Sequence, residues 1–209
     1  MYPLTLLVAL GLTAGLVTGC SGQRDSQELV VTGSTTLLPI AEIAAEKYRE
    51  LHPDVRVLVS GVGSSAGIEA VAAGTSDIGT SSRDLKDEEE GLGLVDTPVA
   101  YDGIAVIVSP ENPITSLSLD QLRAVFSGQV TNWSEVGGPD LRIDLVNRDE
   151  ASGTREAFNK LVMAEKAKFD RSAAVLPGTG QVRDVVSRSA GAVGYISLGF
   201  VNTSGGGQP

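Results

Sequence analysis

The sequence predicts an α/β protein, and three observations carry that prediction. Short β-branched runs alternate with helical patterns, 25 glycines accompany only 4% aromatic residues, and hydroxyl-rich glycine turns sit where strands give way to helices. A chain of 209 residues with 42% hydrophobic and 20% charged content can bury a sizeable core and is too apolar for a disordered polymer. Its formal net charge of −10 disfavours attraction to nucleic acid or to an anionic lipid surface, since both need a basic face. Nucleic acid is therefore not expected as a partner.

The elements follow in chain order. Residues 3–19 carry no charge and are apolar over a length short of a membrane span, so residues 1–19 read as an export signal. The run ends in Val17-Thr18-Gly19-Cys20, which resembles a bacterial lipobox: small residues admit the peptidase, and the thiol takes a diacylglyceryl group. Cys20 would then be the mature N-terminus, bound to the outer face of the membrane. The alternative is a buried free cysteine in an ordinary helix, although no partner cysteine or capped helix accompanies it. Met1-Tyr2-Pro3 departs from the usual Lys or Arg start of such signals. Residues 20–27 are polar and aperiodic, as a tether would be.

From Glu28 onward a strand over 29–31 leads to a helix reaching about residue 51, and a strand over 55–59 leads to a helix reaching about residue 73. In the first helix, Ile40, Ile43, Ala44 and Tyr48 fall on one face and predict a buried stripe, and Pro39 places the start close to Thr35 and Thr36. The unbroken run Ile104-Ala105-Val106-Ile107-Val108 predicts a central strand. Ser118 with Gln121 forms a capping box ahead of Leu119, Leu122, Val125 and Phe126, and Gly128 supplies a left-handed stop. A strand over 143–146, helices over 152–162 and 179–189, and a strand over 193–196 complete the alternation.

Three strand-to-helix junctions are candidates for chemistry: Thr32-Gly33-Ser34-Thr35-Thr36, the Ser60 to Gly67 loop, and Asn147-Arg148-Asp149-Glu150-Ala151-Ser152-Gly153-Thr154-Arg155. A helix start offers unpaired N–H groups and partial positive charge, glycine lets the backbone approach, and Arg148 adds a planar pair of donors suited to an oxyanion. Taken singly, each junction is equally explained by ordinary N-caps and βα turns. The Gly61 to Gly67 loop lacks the lysine of a phosphate-binding P-loop and the Gly-x-Gly-x-x-Gly spacing. One cysteine and one histidine cannot make a Cys/His metal cluster, so neither metal nor cofactor is expected.

The ordered set Gly33-Ser34-Thr35-Thr36, Gly63-Ser64-Ser65-Ala66-Gly67, Ser76-Asp77-Ile78-Gly79 with Ser82-Arg83, Tyr101-Asp102-Gly103-Ile104, Thr131-Asn132-Trp133 with Gly137-Gly138, Arg148 with Ser152-Gly153-Thr154-Arg155, and Gly194-Tyr195-Ile196 resembles the phosphate-binding proteins of bacterial ABC importers. The likeness runs from about residue 28 to 200. It implies a type II periplasmic-binding-protein fold, with a first lobe over 28–102, a second over 103–200, and a cleft that closes by hinge motion. Residues 201–209 would be a polar tail or the start of a return to the first lobe, the chain reading as truncated at its C-terminus. The implied ligand is inorganic phosphate, the implied partner a membrane permease, and the implied state a monomer without enzymatic activity.

Residue by residue, the resemblance implies that Thr35, Thr36 and Ser64 donate from the first lobe and Arg148, Ser152, Gly153 and Thr154 from the second. Ser82 and Arg83 stand where some members place an acid, which leaves Asp102 and Glu150 as the nearby carboxylates. An ionised Asp102 would accept the proton of hydrogen phosphate and repel sulfate, which has none; otherwise it is a turn residue before a strand. Arg83 is a site residue or the ion-pair partner that orients Asp102. Trp133 reads as a packing anchor under Gly137-Gly138. The competing readings are a receptor for sulfate or molybdate and a hydrolase using Ser64 or Ser152. The hydrolase lacks a base, because the lone histidine, His52, precedes Pro53 at a helix end.

Overall fold

The computed structural model describes residues 28–164 and 167–201. The proposed signal, Cys20, the tether and residues 202–209 lie outside the described residues. In lobe 1, β1 (Glu28–Gly33), β2 (Arg56–Gly61) and β3 (Ile78–Thr80) form a parallel sheet in the order β2-β1-β3. Parallel neighbours need crossovers, here α1 (Leu38–Leu51) and α2 (Ser64–Ala72). The register sets Gly33 opposite both Gly61 and Thr80, so all three strands release their loops at one edge.

A long link containing α3 (Asp87–Glu90) leads to lobe 2. There β4 (Ile104–Val108), β5 (Asp144–Arg148), β6 (Ala174–Leu176) and β7 (Ala192–Ser197) lie in the order β4-β7-β5-β6, with only β4 antiparallel to its neighbour. The helices are α4 (Leu119–Phe126), α5 (Gly153–Phe158) and α6 (Thr179–Ser187), and a π-helical turn (Asn159–Met163) prolongs α5. The capping box on α4 is present: Gln121 N–H donates to Ser118 Oγ at 3.2 Å and Ser118 N–H to Gln121 Oε1 at 2.8 Å. Gly128 takes the left-handed turn at φ 75°.

The lobe 2 core explains where the site can stand. Phe158 of α5 stacks on Tyr195 of β7 with centroids 4.1 Å apart, and Phe126 meets Phe158 edge-on at 4.8 Å. Each such burial stabilises by about 1.5–3 kcal/mol, so α5 is held by its far end while its first turn faces lobe 1. Trp133 is the packing anchor expected, fully buried and donating from Nε1 to Gly191 O at 3.0 Å.

Two sequence expectations are corrected. The α1 stripe is not the buried one: Ile40 and Ile43 are 63% and 61% exposed, and Ala41 and Ala45 face the sheet instead, packing with Val31 and Val57. The small residues let the helix sit close to the strands. The Ile104 to Val108 run is an edge strand, half-buried at every residue, and the wholly buried central strand is β7.

Candidate functional site

The cleft is assembled from strand ends and helix starts. At the lobe 1 edge, Ser34 Oγ accepts from Thr36 N–H at 3.1 Å and fixes the turn that presents Thr35 and Thr36. Gly63, at φ 108°, turns the chain into α2 so that Ser64 begins the helix; a Cβ at Gly63 would come within 2.7 Å of Ala151 in the other lobe. From lobe 2, Arg148 ends β5, and Ser152 caps α5 by accepting from Arg155 N–H at 3.1 Å, which places Gly153 and Thr154 in the first turn.

These groups meet across the lobes. Thr36 Oγ1 lies 3.0 Å from Thr154 Oγ1, and Ser82 Oγ lies 3.3 Å from Ser64 Oγ and 3.4 Å from Thr154 Oγ1. Gly153 packs so tightly that a Cβ there would sit 2.4 Å from Ser64 Oγ. Ser65 N–H donates to Ala151 O at 3.2 Å, a backbone bond between lobes. One more hydroxyl stands at the centre: Thr179, fully buried at the start of α6, is 3.1 Å from Thr35 Oγ1 and 3.2 Å from Thr36 Oγ1. Sequence reasoning placed a helix start at Thr179 but missed its role, because the three-residue β6 before it carried no periodic signal. The Pro177-Gly178-Thr179-Gly180 pattern, a hydroxyl among glycines at a helix start, was the available clue.

Arg148 supplies the charge. It is 2% exposed, and Nε donates to Leu176 O (3.2 Å), Nη1 to Thr179 Oγ1 (3.1 Å), and Nη2 to Thr35 Oγ1 (3.0 Å) and Pro177 O (2.8 Å). All of these acceptors are neutral. No carboxylate of the described residues is within ion-pair distance of Arg148. Burial pushes its pKa below the ordinary guanidinium value, with Asp149 and Tyr195 pulling the other way; the group still stays protonated at neutral pH. The result is a buried cation with no carboxylate of the described residues in ion-pair contact, beside hydroxyls that can donate.

Other expected residues stand elsewhere. Asp102 is exposed and accepts from the N–H of its own neighbour Gly103 at 2.8 Å, so it does not reach the hydroxyl cluster. The carboxylate is spent on the turn before β4. Glu150 is 94% exposed in its side chain, 3.8 Å from Arg155. Arg83 does not orient Asp102: its guanidinium is gripped by Glu89 at 2.6 and 2.7 Å. This contact raises the Arg83 pKa and lowers that of Glu89. His52 stacks on Tyr48 at the far end of α1, centroids 4.3 Å apart, so neither Ser64 nor Ser152 has an imidazole base. A cavity of about 200 Å³ lined by Gly128, Arg142, Asp144 and Asp170 lies at the opposite end of β5 and shares no residue with the cleft.

Two α/β lobes closing hydroxyls and one buried arginine between them define a solute-binding domain for a small oxyanion. Comparison with known proteins agrees on that class. A model of the PBP superfamily domain matches residues 19–207. The phosphate-binding protein PstS of Borreliella burgdorferi is 32% identical over 205 residues, covering 95% of this chain and 74% of that protein, and PstS of Bacillus subtilis is 34% identical over 184 residues, covering 86% and 60%. A solved phosphate ABC transporter substrate-binding protein with bound phosphate from Clostridium perfringens is 40% identical and superposes with a TM-score of 0.79, covering 84% of this chain and 72% of that one. The chain belongs to the PBP superfamily and, within it, to the PstS phosphate-binding proteins. It spans between 60 and 74% of the length of the two curated relatives.

Proposed function

We propose that this chain captures inorganic phosphate outside the cytoplasm and passes it to the permease of an ABC importer. The observation that carries the reading is Arg148, a 2%-exposed cation whose bonds all go to neutral oxygens. Burying an unpaired charge costs several kcal/mol, and an anion arriving between the lobes offsets that cost. Thr35, Thr36, Ser64, Ser82, Thr154 and Thr179 donate hydroxyls, Gly153 and Thr154 add backbone N–H groups, and Ser152 holds the turn. Entry requires the lobes to part, since the Thr36–Thr154 hydroxyl pair at 3.0 Å leaves no room for an intervening oxyanion.

With Asp102 outside the cleft, choice among oxyanions falls to the hydroxyls, which accept as well as donate. Hydrogen phosphate can give its proton to one of them, and sulfate cannot. Phosphate rather than sulfate or molybdate is further supported by the names of the relatives at 32–40% identity. In the same reading the chain is exported by residues 1–19, tethered through lipidated Cys20, and monomeric. Titration calorimetry of the purified chain tests the proposal: phosphate and arsenate are expected to bind one to one, micromolar or tighter, and sulfate far more weakly. Equal affinity for sulfate, or no phosphate heat, would overturn it.

A further inference from the structure

We propose that Glu156 is a closure latch: a positioning residue on lobe 2 whose carboxylate pairs with Arg83 and Lys86 of lobe 1 and sets how long the closed cleft holds its anion. Glu156 lies one turn after Gly153 on α5, on the face that Gly153 and Thr154 turn toward lobe 1. Its Oε2 is 3.0 Å from Arg83 Nε and 3.3 Å from Lys86 Nζ. Arg83 immediately follows Ser82, whose hydroxyl is in the cleft cluster. The latch and the ligand site are thus joined by one residue in lobe 1 and by one helical turn in lobe 2.

The two lobe 1 cations give the latch its direction. Within lobe 1, Glu89 takes both Nη groups of Arg83 and also accepts from the backbone N–H of Lys86 at 2.9 Å, while Arg83 Nε and Lys86 Nζ are the cationic atoms that approach Glu156. Glu156 brings a carboxylate from the other lobe to these two cations, and it does so only when the lobes are together. With the lobes together the Arg83 side chain is 4% exposed, so in the closed cleft its attraction to Glu156 is weakly screened by water, and opening gives that attraction up. The Nε–H is not aligned on the carboxylate, so the attraction is coulombic and tolerates small lobe rotations.

An anion enters and leaves the open form, whereas the latch acts on the closed one. Its removal therefore speeds release and leaves capture unchanged. In the full chain, Glu156→Gln is expected to speed hydrogen exchange in segments 62–66 and 150–155 without ligand, where Ser65 N–H bonds Ala151 O. Phosphate release in stopped flow is expected to rise about 5-fold at an unchanged association rate, and the difference to shrink near 1 M salt, where the Debye length is about 3 Å. Glu156→Asp should restore most of the slow release, and Lys86→Gln should give a smaller effect of the same sign.

Wild-type exchange and wild-type release in Glu156→Gln would overturn the latch, as would faster exchange spread over the whole chain, which marks general destabilisation. The kinetic arm rests on phosphate capture and the exchange arm does not. Failure of the unaltered chain to bind phosphate would refute the capture reading and leave the exchange result to decide the latch.

Discussion

Replacing Arg148 with methionine separates its two roles. Methionine keeps much of the length and apolar bulk but deletes the charge and four hydrogen bonds, to Leu176 O, Pro177 O, Thr35 Oγ1 and Thr179 Oγ1. In the ligand-free protein the two carbonyls lose donors, at about 1–3 kcal/mol each. Relief from burying an unpaired cation returns several kcal/mol. The two nearly cancel, so the melting temperature should move by only a few degrees. In the bound state nothing cancels. Two charge-assisted bonds from the Nη groups contribute about 1.5–3 kcal/mol each, so phosphate affinity should fall by about 10²- to 10⁴-fold. Titration calorimetry and differential scanning calorimetry on the same sample read both numbers. Affinity within 10-fold of wild type would remove Arg148 from the ligand. A melting temperature lowered by more than about 10 °C would make Arg148 a strut for β6 rather than a waiting cation.

Four further outcomes follow from the same geometry. Thr179→Val deletes the hydroxyl that touches Thr35, Thr36 and Arg148, and should weaken phosphate about 10-fold with little change in melting. Gly153→Ala puts a Cβ 2.4 Å from Ser64 Oγ and should hold the lobes apart, seen as a larger radius of gyration with phosphate and a lost calorimetric signal. Asp102→Asn should leave the phosphate-to-sulfate preference unchanged, because that carboxylate bonds only its neighbour's N–H among the contacts found; a selective change in competition binding would return it to the site. Glu89 has its pKa lowered chiefly by Arg83, so its contribution to stability is present above the unfolded value near 4.5 and is lost as pH falls through the folded value. Glu89→Gln should therefore destabilise by about 2 kcal/mol at pH 7 in urea unfolding, with the gap from wild type closing as pH falls from 4.5 through the lowered folded-state value.

What was legible in the sequence was the chemistry confined to a few neighbouring residues. The Ser118–Gln121 box and the Gly128 stop need only local backbone and were read correctly. The hydroxyl-glycine junctions at Thr35, Ser64 and Ser152 were visible for the same reason, since a helix start with free N–H groups is a property of one turn. Misreadings came where a distant partner chooses between local options. On α1 the Ala41–Ala45 line and the Ile40–Ile43 stripe are both apolar faces of the same helix, and only the sheet beneath decides which is covered. An unbroken apolar run such as Ile104 to Val108 suits an edge or a centre equally until its neighbours are known.

The carboxylates show the same limit from the side of function. Asp102, Glu150, Glu89 and Glu156 all looked equally available in the sequence, yet the two proposed for the ligand turn to solvent or to their own backbone, and the other two bind Arg83. Thr179 is the converse, a residue of the hydroxyl cluster whose own segment offers only a hydroxyl among glycines at a helix start. Its place follows from one non-local fact: β5 and β6 pair in register so that Arg148 faces Leu176, and Thr179 is three residues further on. Once that register is known, Arg148 and Thr179 must leave the sheet at the same edge. The central contact of the cleft is thus a consequence of strand pairing, and a change that slips β6 by one residue should disable anion capture without altering any residue that touches the anion.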